Sequence, residues 1–80
     1  MAIVYSELCK LIGDIEEKLR LVKKRREYEK KKLLSALHCD AFATVVESAE
    51  RYRYYREDEL MYEWMLGRLK PIRKLAEGVE

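Results

Sequence analysis

The sequence predicts an all-α protein: a long antiparallel helical hairpin that dimerises into a four-helix bundle, with a kink or a short third helix after Pro71. Three observations carry this prediction. Apolar residues recur at helical spacing in both halves of the chain, and Pro71 is the one proline among 80 residues, so no breaker interrupts the first 70. Both apolar stripes are also broken by charge at the same distance from a short central interruption. The expected layout is one domain over residues 1–80, with helix 1 at about 3–37, a turn at 38–40, helix 2 at about 41–70 and a helical tail at 71–78.

Helix 1 rests on Leu8, Leu11, Ile12, Ile15, Leu19 and Val22, which fall on one face at 100° per residue. The same face then meets Arg26 and Glu29 before Leu33, Ala36 and Leu37 resume it. Gly13 is the only glycine in this stretch and good helix formers dominate it. At Leu37-His38-Cys39-Asp40 the pattern stops. Asp40 is a natural N-cap for the second helix, because its carboxylate can accept from the free N–H groups of a first turn.

Helix 2 shows a stripe through Phe42, Val45, Val46, Ala49, Leu60 and Trp64, interrupted by Arg53 and Arg56. A tight antiparallel turn at 38–40 sets Arg26 opposite Arg53 and Glu29 opposite Glu50, so the two interruptions meet in one polar layer. Such a layer fixes register more than it stabilises. The same register brings Gly67 level with Ile12 and Gly13, which predicts close backbone approach there. Between Leu60 and Leu69 the apolar residues leave a single face. Leu60, Met61, Trp64, Met65, Leu66 and Leu69 together surround the helix, more than one partner helix can cover, and are therefore the expected oligomer interface. Pro71 removes a backbone donor and crowds the carbonyl of Gly67, which predicts the kink or restart. Ile72, Leu75, Ala76 and Val79 give the tail one apolar edge.

Eighty residues hold one small core, which rarely supplies more than about 3 to 5 kcal/mol, so self-association is the expected support. Charged residues make up 40% of the chain at a net charge of +2, while 49% is hydrophobic, a balance that describes solvated helices rather than a disordered polyelectrolyte. No apolar run reaches the roughly 20 residues of a membrane span, and Met1 to Tyr5 is too short for a signal-peptide core, so a cytoplasmic protein without a membrane partner is expected. Cys9 and Cys39 would lie about 45 Å apart along one helix, which leaves free thiols or an intermolecular bridge. The chain contains neither Asn nor Gln and is rich in Lys, Arg, Glu and Tyr, a profile that points to a thermophilic source.

Motifs that carry chemistry are missing from the sequence. It has no glycine-rich phosphate loop, no Cys-x-x-Cys, no histidine pair and no Gly-x-Ser-x-Gly. His38-Cys39-Asp40 is the one cluster of metal-ligand types, but three adjacent turn residues do not make a four-ligand site. Glu57, Asp58 and Glu59 point in three directions on a helix and read as a solvated face. A non-enzymatic protein with no catalytic residues, no metal and no cofactor is expected.

Charge is distributed more tellingly. Residues 23–56 carry ten Lys or Arg against five Asp or Glu, a net of +5, whereas residues 1–22 come to −1 and residues 57–80 to −2. The turn-proximal half of the rod is basic. Lys23, Lys24, Arg25, Lys30, Lys31, Lys32 and Arg51 are the candidate phosphate contacts on DNA or RNA, with Tyr28 and Tyr55 as stacking residues. The plain alternative is a solvated face laced by Glu27 and Glu29 to the neighbouring lysines. The rival function is a protein-interaction adaptor, or a subunit of a larger assembly of the kind a virus or plasmid encodes, without nucleic-acid contact. In outline the hairpin dimer is similar to the ROP-type four-helix bundle, a likeness of architecture that does not extend to function.

Overall fold

The computed structural model describes residues 2–79. Helix α1 spans Ala2–His38 and α2 spans Phe42–Val79, and the two pack against one another as an antiparallel hairpin 58 Å long and 14 × 13 Å across its Cα atoms. The turn is only three residues long. Among the described residues no helix is long and apolar enough to cross a membrane, and Cys9 and Cys39 are free.

The seam between the helices repeats at alternating intervals of three and four residues, the heptad spacing of a coiled coil. On α1 the covered positions are Tyr5, Leu8, Ile12, Ile15, Leu19, Val22, Arg26, Glu29, Leu33 and Ala36. On α2 they are Val45, Ser48, Tyr52, Tyr55, Glu59, Tyr62, Leu66, Leu69, Arg73 and Ala76, with Ala41 of the turn preceding them at the same spacing. A repeat of 3.5 residues is shorter than the 3.6 of a straight helix, so a seam of this length favours a left-handed wind. The apolar core sits away from the turn: Ile12, Ile15 and Leu66 are buried, with Leu19, Tyr62, Met65 and Leu69 packed against them.

Register follows the expectation and rotation does not. Leu66, next to Gly67, lies against Ile12, as the turn position implies. The expected stripe of helix 2, however, keeps only Val45. Phe42, Val46, Leu60 and Trp64 are exposed by 78%, 42%, 50% and 62%. The helix is turned about one residue away from its most apolar side. Tyr52, Tyr55 and Tyr62 can do this work because a tyrosine covers the seam with its ring while its hydroxyl stays wet. Gly13 and Gly67 consequently lie on outer faces, where an added Cβ would meet nothing within 4 Å. The expected close approach between them is absent.

The turn is closed by Asp40 from the side of α1. Asp40 has φ 54°, the left-handed conformation, and the Ala41 N–H donates to Ala36 O at 3.0 Å while the Asp40 N–H donates to Leu37 O at 3.4 Å. This is a Schellman closure with aspartate in the place usually held by glycine. Asp40 therefore ends α1 rather than capping α2. The Val45 N–H donates to Ala41 O, so Ala41 is the residue from which α2 starts.

Helix α2 runs through Pro71 to Val79 without a separate third helix. The carbonyl that Pro71 leaves without a donor belongs to Gly67, and both residues are exposed, so water can take the missing bond. Of the edge expected for the tail, Ala76 is half-buried on the seam while Ile72 and Leu75 are exposed. The side chain of Val79 lies outside the described residues.

Candidate nucleic-acid interface

The basic run sits mid-helix because Lys and Arg are good helix formers and the heptad needs only every third or fourth residue for the seam. Arg26 and Glu29 take those seam places. Arg26 Nε lies 2.8 Å from Glu59 Oε1 across the hairpin, and Arg26 Nη1 lies 3.0 Å from Glu27 Oε1. The Nε–H does not point at the Glu59 oxygen and makes no hydrogen bond, so the attraction is that of an ion pair. Arg56 Nη1 donates to Glu59 at 2.8 Å, and this bond holds the Arg56 guanidinium above its ordinary value. Glu29 is buried, 3.9 Å from Arg51 Nη1.

The polar layer is thus built differently from the expected one. Glu59, read from the sequence as part of a solvated face, is its most buried acid, with a side chain 4% exposed between two arginines. Arg53 and Glu50 are exposed, and Arg53 lies 3.9 Å from Glu57 on its own helix. Rotation of α2 explains both changes, since it swings residue 53 out and residue 59 in. Glu59 could have been found by stepping the alternating interval of three and four along α2 from Val45. Ser48 is fully buried, and its hydroxyl and Glu29 Oε2 have no hydrogen-bond partner among the described residues.

With Glu29 drawn into the seam and Glu27 held by Arg26, the acids that would lace the run are occupied. Lys23, Lys24, Arg25, Lys30, Lys31 and Lys32 make no ion pair within 4 Å among the described residues. Lys23, Lys24, Glu27, Tyr28 and Lys31 line one shallow groove on the back of α1. Tyr28, Lys31 and Lys32 continue into a second, which reaches Ser35, Cys39 and, across on α2, Thr44. Tyr28, 64% exposed, stands between the two.

The remaining candidates are spread around this centre. Arg51 is exposed on α2, two helical turns beyond Thr44 and so on the same flank. Lys30 is exposed but lies 200° round α1 from Tyr28, on the opposite flank. Tyr55 is half-buried on the seam beside Lys18, Leu21, Val22, Arg25, Asp58 and Tyr62. Its ring is therefore less open than that of Tyr28.

Of the expected oligomer contacts, Leu66 is buried within the hairpin, with Met65 and Leu69 packed against the same core, whereas Leu60, Met61 and Trp64 face outward. Among the described residues no group of three or more His, Cys, Asp or Glu is placed to hold a metal ion. Compared with protein-family models, with curated proteins and with solved structures, the chain matches none.

Proposed function

We propose that the protein is a non-enzymatic, homodimeric nucleic-acid-binding hairpin that grips phosphates with the basic run of α1. The observation that carries this is that, among the described residues, Lys23, Lys24, Lys31 and Lys32 cluster around the exposed Tyr28 with no ion pair within 4 Å, and Arg25 and Lys30 of the same run are likewise unpaired. Unscreened cations on a rigid helix are what counterion release requires.

Size determines the mode of binding. A major groove about 12 Å wide holds a single helix, so the whole hairpin, 14 × 13 Å between Cα atoms, does not enter it and at most the outer face of α1 could. Contact would run along the backbone, with Lys24, Lys31 and Lys32 on phosphates and Tyr28 against a sugar or an unpaired base. Fluorescence anisotropy with labelled duplex DNA and structured RNA tests this. Micromolar or tighter binding whose log K falls linearly with log salt supports the reading, and no binding at low salt overturns it.

The second reading, an adaptor or assembly subunit, draws on the exposed apolar side of α2. Pull-down of a partner by protein that binds neither DNA nor RNA would favour it.

A further inference from the structure

The side of α2 that turns away from α1 is apolar over about four turns, from Leu60 to Leu75. Leu60, Met61, Trp64, Pro71 and Leu75 are exposed along it, Trp64 and Leu75 by 62% and 73%. The Arg68 guanidinium lies 5.4 Å over the Trp64 ring. Gly67 sits in the middle of this side with open space in front of it.

Charge is arranged with a symmetry along the same stretch. Residues 57–63 include four acids and no base, and residues 68–74 include four bases and no acid. Glu59 and Arg73 turn into the seam, Asp58 lies in the groove beside Lys18 and Arg25 of α1, and Lys70 lies 3.7 Å from Glu16 of α1, leaving Glu57 and Glu63 to flank one half of the apolar side and Arg68 and Lys74 the other. The two blocks mirror one another about the peptide between Met65 and Leu66.

We infer that this outer side of α2 receives a second copy of the chain, mated antiparallel about a two-fold axis beside Leu66 and Gly67. Each acidic block then meets the partner copy's basic block. Parallel mating would oppose like charges along the whole contact, and an anionic lipid surface would be repelled by the acidic half. The exposed apolar area, on the order of 500 Å² per copy, brings two copies close to the lower limit of specific interfaces. The need for such burial is plain, because Ile12, Ile15, Val22, Ala36 and Leu66 are the only buried apolar residues described. The inference rests on the homodimer in the reading above and is independent of nucleic acid, so its test uses none.

The test combines sedimentation velocity with a distance measurement. The full chain should dimerise at micromolar to submillimolar concentration, more weakly at high salt. Trp64→Lys should raise the dissociation constant at least about tenfold with helicity unchanged, since Trp64 makes no contact with the core. The double changes Glu57→Lys, Glu63→Lys and Arg68→Glu, Lys74→Glu should each abolish the dimer, and an equimolar mixture should restore it. A nitroxide on Cys39, in a Cys9→Ala background, should report a separation of about 75 Å within the dimer, given 1.5 Å per residue from the axis to each turn. A monomer throughout the concentration range, a dimer indifferent to Trp64→Lys, or a short Cys39 separation would each overturn the inference.

Discussion

Arg26 of α1 reaches across the hairpin to Glu59 of α2, Nε to Oε1 at 2.8 Å, with the two side chains 19% and 4% exposed. This pair lies on the seam, where a coiled coil otherwise places aliphatic residues. We predict that Glu59→Ala lowers stability by about 3 kcal/mol, because it leaves a largely buried guanidinium without its partner. Replacing both, Arg26→Leu with Glu59→Leu, should restore most of that loss. Urea denaturation followed by helicity measures each, and a Glu59→Ala midpoint equal to wild type would show that the pair is energetically idle.

Within the basic run the geometry predicts unequal contributions. Lys31→Ala and Lys32→Ala should each reduce the slope of log K against log salt by about one for duplex DNA. Lys30→Ala, on the opposite flank from Tyr28, should change it less. Equal effects from all three lysines would show that the patch acts as a diffuse charge without a preferred face.

Asp40 occupies a backbone conformation that costs most L-residues about 1 to 2 kcal/mol and aspartate somewhat less. Asp40→Gly should therefore stabilise the hairpin by about 0.5 to 1 kcal/mol, and Asp40→Val should destabilise it by more than that. Thermal melts of the two variants give the comparison. Loss of stability in Asp40→Gly would mean that the carboxylate contributes more than the strain removes.

Gly13 lies inside α1 with open space where a side chain would stand. Gly13→Ala should add about 0.5 to 1 kcal/mol through helix propensity and the narrower unfolded ensemble. Ser48→Ala should be neutral or stabilising as well, since the buried hydroxyl has no partner to lose. Denaturation midpoints that fall in either variant would indicate contacts that the present geometry lacks.

Much of the architecture was legible because it is written in local chemistry. Proline-free helix formers from residue 2 to 70, the break at His38-Cys39-Asp40 and the stripe from Leu8 to Val22 together specify a long hairpin, and the turn position alone specifies its register. The spacing of three and four on α1 is a property of that helix and needed no partner to be seen.

Which side of α2 faces α1 was decided by tertiary packing. Apolarity alone favours the side of Phe42, Leu60 and Trp64, yet the hairpin buries the side of Tyr52, Tyr55, Glu59 and Tyr62. Glu59 can be buried there because Arg26 and Arg56 converge on it, and that convergence exists only once the helices are side by side. The same rotation leaves the Trp64 side uncovered. By itself the sequence determined two helices, their turn, their register and the basic half of the rod. The tertiary structure decided rotation, because rotation depends on pairs of side chains from different helices, and a pattern read along one helix does not contain them.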